Sequence, residues 1–194
     1  YASVQGALDA AAHGDTIKVA QGVYTGTGAE VARVEKAVAL AGGYSITNWA
    51  TPYPDTQPSV LDAEGADRRG IYVDGTGLGA IILSGLTVQG GAPLAPDMSS
   101  ESGAGIYVQG GEVTIHRSLI MSNTNIDGGR GGGLNVEGGN VTLEATTFRG
   151  NHAAGGGGVN VEHGTVTFAG DRFEDNSAFW SGALRIWDAD VTIS

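Results

Sequence analysis

Short runs of alternating apolar and polar residues fill the second half of the chain, and they recur. Ile106-Tyr107-Val108-Gln109-Gly110-Gly111-Glu112-Val113-Thr114-Ile115 aligns with Leu134-Asn135-Val136-Glu137-Gly138-Gly139-Asn140-Val141-Thr142-Leu143. It aligns also with Val159-Asn160-Val161-Glu162-His163-Gly164-Thr165-Val166-Thr167-Phe168. From Ile106 to Leu134 is 28 residues, from Leu134 to Val159 is 25, and a further 25 reaches Leu184. A period in the twenties, built of β-branched runs and Gly-rich turns, marks a solenoid whose coils bury one another's faces. Period-two alternation turns Ile71/Val73, Ile106/Val108, Leu134/Val136, Val159/Val161 and Leu184/Ile186 inward on a first strand. On a second strand it turns Ile81/Leu83, Val113/Ile115, Val141/Leu143, Val166/Phe168 and Val191/Ile193 inward, and Val88, Ile120, Phe148 and Phe173 form one column on a third. The predicted fold class is all-β: a parallel β-helix of three short strands per coil, rising about 4.8 Å per coil.

The first part of the chain follows other patterns. Residues 3–12 predict the one helix, with Val4, Ala7, Leu8 and Ala11 on one face, Ser3 as cap and Gly14 closing the end. Residues 16–20 and 37–41 predict strands, the second ended by Gly42-Gly43. Residues 48–58, with three of the five prolines, predict a loop, and Val60 opens the next strand. The expected organisation is a single domain: a helical cap at 1–15, irregular first coils at 16–70 and regular coils at 71–194, within a longer or assembled protein. Residues 92–105 and 125–133 exceed the period and are expected to project from one corner.

Two polar columns follow from the register. Asn123, Asn151 and Asn176 each stand three residues after Ile120, Phe148 and Phe173. An Asn there tolerates left-handed backbone, bonds its own main chain and bridges to the next coil. Gly90 takes the equivalent earlier place, so this ladder is expected to begin at Asn123. Thr114, Thr142, Thr167 and Thr192 form an outward ladder.

Composition narrows the partners. The 34 glycines lack a triplet period and read as turns; there is no cysteine, hence no disulfide. A net charge of −11 argues against nucleic acid and anionic membranes, and no apolar run is long enough for a spanning helix.

Val4-Gln5-Gly6-Ala7-Leu8-Asp9-Ala10-Ala11, then Gly14-Asp15-Thr16-Ile17-Lys18-Val19-Ala20 and Gly22-Val23-Tyr24, resemble the N-terminal segment of bacterial right-handed parallel β-helix proteins of the pectin-lyase-like superfamily. Leu40-Ala41-Gly42-Gly43-Tyr44, Trp49 and Leu61-Asp62 are similar to the same group. Phe148-Arg149-Gly150-Asn151 and Phe173-Glu174-Asp175-Asn176, with Ser181-Gly182-Ala183-Leu184, resemble the repeats of polymorphic outer-membrane proteins. The resemblance implies a right-handed solenoid with a helix over its first coil. On activity it leaves lyases, hydrolases, epimerases, adhesins and surface-layer proteins open.

The candidate chemistry lies on outward positions of the first strand. One column runs Asp74, Gln109, Glu137, Glu162, Trp187, and its neighbour runs Tyr72, Tyr107, Asn135, Asn160, Arg185. Glu137 beside Glu162 is a close carboxylate pair suited to a glycosidase or to calcium, and like charges so placed raise one pKa. A solvated strand face is the plainer reading. Lyases of the resembling superfamily set acidic calcium ligands opposite an Arg or Lys base, and here only Arg185 shares the acidic face. His13, His116, His152 and His163 lack metal-ligand spacing. Gly128-Gly129-Arg130-Gly131-Gly132-Gly133 lacks the Lys-[Ser/Thr] of a phosphate loop, and Asn140-Val141-Thr142 reads as a chance glycosylation pattern.

Three functions are therefore weighed. The first is a non-catalytic extracellular or bacterial cell-surface module for adhesion or assembly, with no required cofactor. The second is a polysaccharide lyase or glycoside hydrolase on the Asp74–Glu162 row, with calcium as its candidate ion. The third is a glycan-binding module using Tyr72 and Tyr107 as stacking platforms. The last coil, with Leu184, Ile186, Val191, Ile193 and nearby Phe179, Trp180 and Trp187, is expected to be covered by further residues or another subunit.

Overall fold

The computed structural model describes residues 1–94 and 103–194, and only the backbone at 126 and 127. It is a parallel β-solenoid with one short helix at its N-terminal end. The face carrying the Phe column is a six-stranded parallel sheet, one strand per turn. Its register aligns Leu61, Val88, Ile120, Phe148 and Phe173 as direct neighbours. The other two faces join into one larger sheet, because Val159–Ala169 and Leu184–Ile193 run unbroken around the corner between them. On the tyrosine face, Ile71, Ile106, Leu134, Val159 and Leu184 stack in register. On the threonine face, Val113, Val141, Val166 and Val191 do so, with Thr114, Thr142, Thr167 and Thr192 outward.

The inward columns are the core. Ile71, Val73, Ile106, Val108, Leu134, Val136, Val159 and Val161 are buried, as are Ile120 and Phe148. Burial fades in the last coil: Ile186 is 45% and Ile193 71% exposed, against 0% for Val161 and 3% for Phe168 directly beneath them.

The early part of the chain is more regular than its sequence suggests. Strands Thr16–Ala20, Gly22–Tyr24 and Glu30–Val34 form one complete coil, and Ala39–Tyr44, Ser59–Asp62 and Arg69–Asp74 form the next. Gly42-Gly43 does not end its strand. Both glycines lie within it, and a Cβ on Gly43 would come within 2.8 Å of the Pro54 nitrogen. The helix spans Val4–Ala10, shorter than expected, with the Ser3 hydroxyl accepting from Gly6 N at 3.0 Å. Its end is held by Lys36 rather than by Gly14: Nζ donates to the carbonyls of Leu8, Asp9 and Ala11 at 2.9, 2.8 and 2.7 Å. A cation on three C-terminal carbonyls answers both their lost partners and the helix dipole.

The asparagine ladder is present, displaced by one residue from the anticipated turn geometry. Asn123 Nδ2 donates to Val88 O at 3.1 Å and to Asn151 Oδ1 at 3.0 Å, and Asn151 Nδ2 donates to Ile120 O at 2.9 Å and to Asn176 Oδ1 at 3.0 Å. Asn176 Nδ2 closes the series on Phe148 O at 2.8 Å. The left-handed residue is the one before each Asn, namely Ser122, Gly150 and Asp175, and Gly90 belongs to that column. The earlier counterpart of the Asn is thus Gly91, whose N–H donates to Asn123 Oδ1 at 2.9 Å.

A third sheet, of three strands, was not anticipated. Thr124–Arg130, His152–Gly155 and Ser177–Trp180 pair in parallel. The stretch 125–133 is therefore largely strand and corner rather than a projection, its extra residues taken up as a bulge between Asn125 and Arg130. Of the other long stretch, 92–105, residues 95–102 lie outside the described residues, while Gly103, Ala104 and Gly105 bond the backbone of Arg130, Gly131 and Gly132 in the next coil.

Candidate functional site

The outward row of the tyrosine face has the expected register: Tyr72, Tyr107, Asn135, Asn160 and Arg185 are successive neighbours, as are Asp74, Gln109, Glu137, Glu162 and Trp187. Its exposure differs from expectation. Tyr107, Asn135 and Asn160 are buried although they point away from the core. The corner that precedes each strand folds over them. Gly131 and Gly156 adopt left-handed φ of 66° and 64°, and a Cβ on either would come within 2.8 Å of Asn135 Cβ or 2.9 Å of Asn160 Cβ. Only glycine gives both the turn and that approach.

Under this cover the row satisfies itself. Asn160 Nδ2 donates to Asn135 Oδ1 at 2.6 Å, and Arg185 donates to Asn160 Oδ1 at 2.8 Å and to Glu162 Oε1 at 2.6 Å. Arg130, from the three-stranded sheet, donates to the same Glu162 oxygen. Tyr107 donates its hydroxyl proton to Glu137, and Tyr72 donates to Gln109. Asp74 turns to its own corner and accepts from Thr76 N at 3.2 Å.

The expected like-charge pair is therefore not formed. Glu137 and Glu162 are register partners, but one carboxylate takes a phenol and the other two guanidiniums. Burial works against ionisation of Glu162. The Arg185 hydrogen bond and the charges of Arg130 and Arg185 outweigh it, so the carboxyl lies below its usual range, opposite to the anticipated rise. Burial first, then the bond to Glu137, pushes the Tyr107 phenol far above its ordinary value. Burial also raises Tyr72. At neutral pH the row thus offers a fixed carboxylate and two protonated phenols.

The stacking platform expected of the tyrosines is already occupied. The Tyr72 and Tyr107 rings stack on each other at 5.4 Å between centroids, and the Arg33 guanidinium lies 4.1 Å from the Tyr72 centroid. Arg69, itself buried, sits 5.5 and 5.1 Å from the two rings. Arg185 is therefore not alone on the acidic face, since Arg33, Arg69 and Arg130 reach it too. Arg130 was legible in principle. It stands four residues before Leu134, as Gly155 does before Val159 and Trp180 before Leu184, and these three are register partners. Gly155, between two large side chains, leaves room for the Arg185 stem: a Cβ there would be 3.2 Å from Arg185 Cδ.

Among the described residues, no three His, Cys, Asp or Glu side chains gather into a metal-ligating group, and no helix is long and apolar enough to cross a membrane.

Stacked parallel strands, inward apolar columns and an asparagine ladder define a β-solenoid. The family model of the right-handed β-helix region matches residues 69–189, and the chain belongs to that family. Nothing among curated proteins or solved structures matches the chain significantly.

Proposed function

We propose that the chain is a non-catalytic β-helix module, extracellular or on a bacterial cell surface, serving adhesion or assembly. One observation carries this: the most catalytic-looking row of the sequence spends its groups on one another. Glu162 is held ionised by two arginines, which leaves it without a proton to give. Tyr107, which keeps its proton by its raised pKa and donates it in a hydrogen bond to Glu137, is no base at neutral pH. General acid–base work needs a group poised near the working pH. The bacterial setting rests on the resemblance to pectin-lyase-like and polymorphic outer-membrane proteins. A screen for turnover of acidic and neutral glycans tests the proposal. No turnover is expected, and turnover abolished by Glu137→Gln or Glu162→Gln overturns it.

The assembly part of the proposal has its own test in solution. Light scattering over a concentration series should show association. A monomer throughout, with fast amide exchange along 184–193, counts against a subunit cover.

A second reading, glycan handling with calcium as candidate ion, is favoured by the exposed members of the row. Gln109, Glu137 and Trp187 are exposed along it, with the Arg185 guanidinium 5.5 Å from the Trp187 ring. Binding on a glycan array that needs Trp187, or a calcium titration signal lost in Glu137→Gln, would move the assignment to this reading.

A further inference from the structure

The third face, away from the tyrosine row, holds cations without work to do. Of the ten Lys and Arg residues, seven are engaged inside the fold. Lys18 donates to Trp49 O, Arg33 to Glu30 and Glu35, Lys36 to the helix end and Arg68 to Gly26 O. Arg69 stacks on the tyrosines, and Arg130 and Arg185 hold Glu162. The remaining three are Arg117, Arg149 and Arg172. The Arg117 side chain makes no hydrogen bond or ion pair with any described residue. Arg149 reaches only the Met121 sulfur at 3.5 Å, and Arg172 stands 3.9 Å from Glu174 with its side chain 75% exposed.

All three line one groove of about 700 Å³ on the outside of the phenylalanine face. They come from successive coils: Arg117 leads into the strand Leu119–Met121, Arg149 ends the strand Thr147–Arg149, and Arg172 opens Arg172–Glu174. The groove crosses the strands, and its cations stand at staggered positions: Arg172 pairs with Thr147, Arg149, two residues along, pairs with Met121 and Glu174, and Arg117 precedes Leu119. Its wall is the loop with Pro54 and Pro58, and its floor includes Val60, Leu119 and the hydroxyl-bearing Thr87 and Thr147. Two carboxylates, Asp55 and Glu174, sit among the arginines.

We propose that this groove docks an acidic polypeptide segment of a partner protein, laid across the coils with its carboxylates on Arg117, Arg149 and Arg172. Charge complementarity selects the sign of the ligand: in a chain of net charge −11, three arginines against two carboxylates in one concavity leave a local positive excess. The lining selects the class. Arginine beside apolar side chains is the composition of protein interfaces. Asp55 and Glu174 would repel a uniformly charged polyanion, whereas a peptide of mixed character sets its own donors against them. The proposal deepens the assembly reading and rests on it for a partner polypeptide, yet peptide binding is measured separately from glycan turnover, so either can fail alone.

The test is fluorescence anisotropy with a labelled peptide of about eight residues, glutamates interspersed with leucine and threonine, long enough at about 3.4 Å per residue to span three coils. A peptide with lysine for glutamate is the control. Salt-sensitive binding of the acidic peptide alone is expected. It should weaken roughly tenfold or more in the triple variant Arg117→Gln/Arg149→Gln/Arg172→Gln and in Arg172→Glu, and persist in Arg33→Gln. Unchanged thermal melting of the variants separates lost binding from lost fold. No binding, or binding indifferent to the arginines, overturns the proposal. Stronger competition by a sulfated polysaccharide than by unlabelled peptide, dependent on the same arginines, overturns the ligand class.

Discussion

Phe148→Ala is the most direct test of the register on which the fold rests. The ring is 0% exposed, stacked on Phe173 at 5.3 Å and 17°, with Ile120 its register partner on the other side. Gly133 presses on its edge, where a Cβ would be 3.0 Å from Phe148 Cδ1. Removing the ring forfeits a transfer free energy of about 2–3 kcal/mol and a ring pair worth about 0.5–1.5 kcal/mol. The space left is bounded by backbone fixed in two sheets, which limits collapse. A loss of about 3–5 kcal/mol follows. At about 2–4 °C per kcal/mol for a chain of this size, the melting midpoint should fall by about 6–20 °C. Phe173, half-buried towards the open end, should lose about half as much when cut to Ala. Circular dichroism melts with matched urea titrations measure both. An unchanged midpoint in Phe148→Ala, or a larger loss at Phe173, refutes the register, since a one-residue slip exchanges inside and outside.

Asn151→Ala cuts the ladder at its middle, leaving Asn123 N and Ile120 O without their bonds. It should cost about 2–4 kcal/mol by urea denaturation, more than Asn176→Ala at the open end. Glu162→Gln should flatten the acid limb of stability. The lowered pKa gives stability that is full above the unfolded value of about 4.3 and is lost as pH falls through the folded value, and urea midpoints from pH 5 down to about 2 follow that loss. Asp171 has the opposite sign. Burial raises its pKa despite the Thr146 and Ala169 N–H groups it accepts, so its contribution is full below the unfolded value of about 3.9 and is lost as pH rises through the folded value. Lys36→Met should leave the helix-end carbonyls unpaired, and faster amide exchange confined to the helix and the adjoining coil is the expected sign.

The inward columns were legible because burial imposes period two on every coil, and coils stacked at one spacing must repeat it. The asparagine ladder was legible for the same reason. The three-stranded sheet was not, because its strands carry little alternation: His152–Gly155 is His-Ala-Ala-Gly, and Thr124–Arg130 contains two glycines. Missing that sheet meant missing its cover, and so an outward row was taken for a solvated one. The first coil was hidden differently. Gly22–Tyr24 is three residues long, too short for periodicity to register.

Repetition is a hazard for charge, and the chain's answer to it bears on function. A solenoid sets each residue about 4.8 Å from its counterpart in the next coil, so a charge kept in register would face copies of itself. On the tyrosine face the repeat is broken where charge would accumulate. Arg185 follows Asn160, Trp187 follows Glu162, and Arg130 crosses from the three-stranded sheet to the Glu162 carboxylate. The phenylalanine face also breaks the repeat, with Arg149 beside Glu174 and Thr147 beside Arg172. No short ion pair closes there, and Arg172 stays exposed. Closure of the first face and openness of the second come from one structural difference: the strand's own preceding corner folds over the tyrosine row, and nothing in the same coils folds over the arginines. On the proposed reading the row that most resembled an active site belongs to the scaffold, and the face that presented only scattered cations in the sequence is the one that would exchange its contacts for those of a partner.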